Sequence, residues 1–174
     1  MPTPTALKVL NIAGFNLIWF LAIVFGNSQL IGVAGLLILH FVVISDPLLE
    51  IKVVAVTALV GYSVDCVLTL LGVFRFEHTV GLTPFWLVLL WVGFCTTLRH
   101  SLSIFYGRYL LASIAGAVAG ATTYLSAAYL GAVDIMLEPA MSFALLAFVW
   151  AFLFPCLLWI SQEMSMRYAT DNRD

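Results

Sequence analysis

One carboxylate, Asp65, stands in the middle of an apolar run that extends from Val53 to Phe74. A charged group in such a run is expensive and needs a reason. Gly61, Tyr62, Asp65, Thr69 and Gly72 recur at helical spacing, so they share one stripe that is expected to face protein rather than lipid. A carboxyl on that stripe can act as a proton-linked group, a cation ligand or a substrate anchor. Equally, it can fix helix packing through hydrogen bonds. Thr122, Thr123, Tyr124 and Ser126, in a later run, are expected at similar depth. There they would complete a polar pocket with Asp65 or simply satisfy its carboxyl.

A second constellation is Thr96-Thr97-Leu98-Arg99-His100-Ser101-Leu102, in which Gly93, Thr96, Thr97 and His100 form one helical face. His40 is expected near the same end of its own helix and can approach this face. A histidine pair can bind a metal or shuttle protons. The alternative is an interfacial histidine and arginine that bind lipid phosphate or helix ends. Asp65 is expected in the opposite half of the membrane, so a three-ligand site joining it to the histidines is not expected. Asn16, near the middle of the first run, suits bridging between helices or a contact to substrate. The candidate binding residues are therefore Asp65, Tyr62, Thr97, His100, Asn16 and Tyr124. Arg75, Glu77 and His78 stand beyond them as a lid or as solvated loop charges.

No catalytic residue is assigned, and neither a metal nor a cofactor is expected. The chain has no G-x-S-x-G, no H-E-x-x-H and no glycine-rich phosphate loop with lysine. Cys66, Cys95 and Cys156 each lie in an apolar run, without C-x-x-C or zinc-finger spacing, and read as small buried hydrophobes.

These residues must be positioned by membrane helices. Of 174 residues, 63% are hydrophobic and 9% charged, whereas a soluble domain carries about a quarter charged. A chain of this length cannot hide so much apolar surface in one core. The net charge of −2 leaves no basic surface for nucleic acid.

A span of the ~30 Å hydrocarbon layer needs roughly 20 apolar residues. Six runs approach that length, at about 9–25, 30–44, 53–74, 84–98, 109–130 and 140–160, followed by a polar tail at 161–174. They are too long, and too uniformly apolar, for strands. The fold class expected is all-α, a single transmembrane domain over 1–174 with about six helices. The first run, with internal Asn11 and Asn16, reads as an uncleaved helix rather than a signal peptide. With six spans, Lys8, Lys52, Arg99, Arg108, Arg167 and Arg173 fall on one side and Arg75 on the other, which puts both termini in the cytoplasm. Gly116-x-x-x-Gly120 and Ala115-x-x-x-Ala119 permit close helix approach, preferentially within the chain.

Three stretches carry a resemblance: Gly61-Tyr62-Ser63-Val64-Asp65 through Leu71-Gly72-Val73-Phe74-Arg75-Phe76, the run Thr96 to Leu102, and Tyr124 through Leu130-Gly131-Ala132-Val133. They resemble an uncharacterised proteobacterial family of small six-helix inner-membrane proteins, a domain of unknown function. The likeness covers most of the chain. The family pattern more usually has asparagine at the position of Arg99, and a helix-five proline that is absent around Thr122 and Thr123. Its members are often encoded beside cyclopropane-fatty-acid and other lipid-modifying enzymes. The resemblance thus implies an accessory role in membrane-lipid modification or envelope stress, but no established activity. Implied partners are membrane lipids and another membrane protein or lipid-modifying enzyme. Two readings stand beside it: a small-solute or vitamin-binding transport subunit, and an intramembrane enzyme that uses Asp65.

Overall fold

Gly26, at φ +54°, reverses the chain between two apolar helices. That left-handed conformation is open to glycine without steric penalty. α1 (Pro4–Phe25) enters the reversal, a 3-10 turn (Gly26–Gln29) makes it, and α2 (Leu30–Val43) leaves it. Ile18 of α1 then packs with Val33 and Leu37 of α2. The chain continues through α3 (Pro47–Leu70), α4 (Phe85–Cys95), a 3-10 turn (Ser101–Phe105), α5 (Tyr109–Tyr129) and α6 (Pro139–Asp171). The computed structural model describes residues 4–77 and 81–171; His78 and Arg173 lie outside them.

Successive helices run in opposite directions. Asn27 accepts from the Trp86 backbone N–H, which brings the α1–α2 turn beside the start of α4. The turns after α3 and α5 meet there too, through an antiparallel pairing of β1 (Phe74–Arg75) with β2 (Asp134–Ile135). At the opposite end Asn11 bonds Thr96 and Ser101, Glu50 meets Arg99, and Tyr106 meets Ser161. The described chain therefore begins and ends at one end of the bundle. That end holds Lys8, Lys52, Arg99, Arg108 and Arg167, and Arg75 sits at the other.

The fold is all-α apart from the two-residue strands, and the chain is a membrane protein. Four stretches are long and apolar enough to cross a membrane: Thr5–Val43, Pro47–Leu70, Tyr109–Tyr129 and Pro139–Thr170. The first contains both α1 and α2. α4, with 11 residues, is only roughly 16 Å long as a helix. Six expected runs thus give four stretches that qualify by length and apolarity, because α1 and α2 fall within one stretch and α4 is short. The outside of the bundle is apolar: Ile31 is 90% exposed, Leu110 78% and Val42 75%. Surfaces of this kind suit lipid rather than water.

Two boundaries matter for the sites. α3 begins at Pro47, six residues before the expected start of its apolar run, because proline at the first helical turn sacrifices no hydrogen bond. The extra turn brings Glu50 into the helix. α6 continues through the segment read as a polar tail as far as Asp171.

Glycines set the closest contacts. A Cβ on Gly61 would lie 2.0 Å from the Trp91 ring, and one on Gly120 would lie 2.2 Å from that of Trp150. Gly116 likewise meets the Trp150 carbonyl and Phe154. The small-residue face of α5 is used within the chain, against α6.

Candidate functional site

Asp65 is 2% exposed and binds two aromatic donors. Trp91 Nε1 donates to Oδ2 at 2.7 Å, and the Tyr124 hydroxyl donates to Oδ1 and Oδ2 at 2.7 and 2.8 Å. Among the described residues no basic side chain meets this carboxyl. Gly61 creates the gap in which Trp91 lies across α3. The two rings are fixed on their other sides as well. Trp91 stacks on Trp150 with centroids 5.7 Å apart, and Tyr124 stacks on Phe74 at 5.2 Å.

Trp91 and Tyr124 form part of the wall of a cavity of about 520 Å³, within the size range of small-molecule sites. Asp65 does not line it but holds these two wall residues from behind. α1 contributes Phe15, Asn16 and Trp19, α5 contributes Ala119 and Thr122, and α6 contributes Trp150 and Phe154. Asn16, Ala119 and Thr122 line the cavity while remaining exposed. The mouth therefore lies between α1 and α5, in the flank of the bundle at mid-helix. The lining is overwhelmingly apolar, and Asn16 turns its amide back to the Ile12 carbonyl at 2.7 Å. The Trp19 indole N–H is buried and has no acceptor among the described residues.

A second cluster lies at the end that holds the helix termini. Glu50 is fully buried and accepts from Arg99 Nη1 through Oε2 at 2.6 Å. Its Oε1 faces two imidazoles, His40 Nε2 at 3.1 Å and His100 Nε2 at 3.2 Å. The two rings meet edge to face with centroids 5.5 Å apart. His100 and Arg99 are brought under Glu50 because α4 ends at Cys95 and the chain then turns. Asn11 holds that turn, donating to the Thr96 carbonyl and accepting from Ser101.

The candidates named from sequence thus separate. Asp65 and Tyr124 come together, and His100 approaches His40. Tyr62 turns away from Asp65, its hydroxyl 2.6 Å from that of Thr83. Thr97 is buried and caps back onto the Phe94 carbonyl, and Asn16 stands on the cavity rim. Sequence reasoning missed Glu50, Trp91 and Trp19. For Glu50 there was a readable sign: Asp46-Pro47 is a helix start as well as a helix stop. A helix begun there puts Glu50 on the face of Val53, Val54 and Thr57. Trp91 is paired with Asp65 only by the tertiary fold.

Neither the curated proteins nor the solved structures contain a match to this chain. A family model does match, over residues 8–156. The chain belongs to that family, described as protein of unknown function (DUF2878).

Proposed function

We propose that this protein takes a membrane lipid into the flank cavity, as an accessory to acyl-chain modification in a bacterial inner membrane, with both termini cytoplasmic. One observation carries the reading: an aromatic-walled cavity with its mouth between α1 and α5, at the depth where a spanning bundle meets acyl chains. Apolar contacts hold a chain there without the desolvation that a polar solute would suffer. The Trp19 N–H, which has no acceptor among the described residues, favours an occupant with one hydrogen-bond acceptor, such as an ester, ketone or hydroxyl oxygen, met by a small turn of the indole. The basic residues gathered at the end that holds the termini support the cytoplasmic assignment.

A polar-solute carrier gains less support from this lining. Catalysis by Asp65 gains less too, because Trp91 and Tyr124 stand between its carboxyl and the cavity.

The test is mass spectrometry of gently purified protein beside Ala119→Trp, which fills the mouth from an exposed position. The expected result is a defined lipid carried by wild type at about one per chain and reduced at least several-fold in the variant. Bulk phospholipid alone, in equal amounts on both, would remove the reading.

A further inference from the structure

We infer that His40, Glu50 and His100 form a site for one divalent transition-metal ion of the zinc class, separate from the lipid cavity. The three ligand atoms, one ring nitrogen of each histidine and one carboxylate oxygen, lie within 4.8 Å of one another. Zinc holds nitrogen at about 2.0–2.1 Å and oxygen at about 2.0–2.2 Å, so neighbouring ligands of a tetrahedral ion stand about 3.3 Å apart. The two oxygen-to-nitrogen separations here are 3.1 and 3.2 Å. An ion between the three atoms therefore needs only sub-ångström shifts along those two edges.

The ligand chemistry selects the ion. Two imidazoles and one carboxylate suit zinc or cobalt and give magnesium, which prefers an all-oxygen shell, little advantage. Arg99 binds the other carboxylate oxygen and fixes which one faces the histidines, as an outer-shell partner of a metal-bound carboxylate does. Neutral imidazole binds through Nε2 once its proton resides on Nδ1, so the ion replaces two N–H donors without charging either ring. Three protein ligands leave a fourth position open, the pattern of zinc sites that bind water or substrate. The site lies at the end of the bundle with the chain termini, reachable from that side: the side chains of His40 and His100 are 19% and 24% exposed.

The experiment uses the full chain in detergent, stripped with chelator and titrated with cobalt(II) and with zinc, beside His40→Gln and His100→Gln. Glutamine retains an amide N–H able to reach Glu50, which protects the fold. Wild type is expected to bind one ion per chain, with the visible spectrum of tetrahedral cobalt displaced by zinc. Each variant is expected to bind about tenfold more weakly or worse. A second readout needs no variant: zinc should raise the wild-type Tm with a dependence on its concentration, and magnesium should not. The inference is overturned if wild type takes up no ion, if both variants bind like wild type, or if zinc and magnesium act alike on Tm. The cluster would then be a hydrogen-bonded triad that only joins α2, α3 and the turn after α4.

Discussion

Glu50→Ala is expected to lower the stability of the folded chain by about 3–5 kcal/mol. The carboxylate is fully buried, and Arg99, only 16% exposed, faces it at 2.6 Å. Removing the acid leaves the guanidinium with neither its ion pair nor enough water to replace it. The two imidazoles lose their common partner as well, so α2, α3 and the turn after α4 are no longer joined at that end. Unfolding in detergent followed by tryptophan fluorescence measures the loss. The double substitution Glu50→Leu with Arg99→Leu should recover most of it, because an apolar pair of similar volume avoids the desolvation of both charges. If Glu50→Ala matched wild type, the ion pair would be absent from the folded protein.

Asp65→Ala is expected to cost about 2–6 kcal/mol and to reshape the cavity. Two buried donors, Trp91 Nε1 and the Tyr124 hydroxyl, lose the acceptor they have among the described residues, at about 1–3 kcal/mol each. Asp65→Asn keeps one acceptor oxygen, so its loss should be roughly half as large. The two variants also separate positioning from chemistry. A residue that acts by holding Trp91 and Tyr124 gives a graded series, wild type above asparagine above alanine, in both stability and lipid retention. Stability and retention are read by thermal unfolding and by mass spectrometry of the purified protein. Loss of lipid in both variants with unchanged stability would contradict the positioning role.

The sequence carried more of the architecture than of the sites, for physical reasons. Apolar runs and the turns between them are local, so the order of the helices could be read directly, though not the start of α3 or the end of α6. Helical rise put Tyr124 of α5 among the residues expected level with Asp65, and Tyr124 does bond it. Side-chain direction was less legible. Tyr62 shares the stripe of Asp65, yet the loop before α4 offers it Thr83. Thr97 was read as part of a chemical face, but its hydroxyl satisfies the carbonyl three residues back.

Glu50 was hidden by a boundary. An apolar run begun at Val53 leaves the acid in a loop, whereas a helix begun at Pro47 buries it. The cavity was not legible at all. It depends on how α1 and α5 splay about α4 and α6, and on two glycine-to-tryptophan contacts, Gly61 with Trp91 and Gly120 with Trp150. Contacts between residues so far apart leave no periodicity to read.

The central claim is that the flank cavity holds an acyl chain. Its most direct test is crosslinking in reconstituted bilayers with a phospholipid that carries a photoreactive group on its acyl chain, followed by peptide mapping. The account predicts labelling of Phe15 and Trp19 on α1 and of Thr123 and Ala127 on α5, residues that line the cavity, with strong reduction in Ala119→Trp. Labelling confined to outward positions such as Ile31 and Leu110, and indifferent to Ala119→Trp, would contradict it.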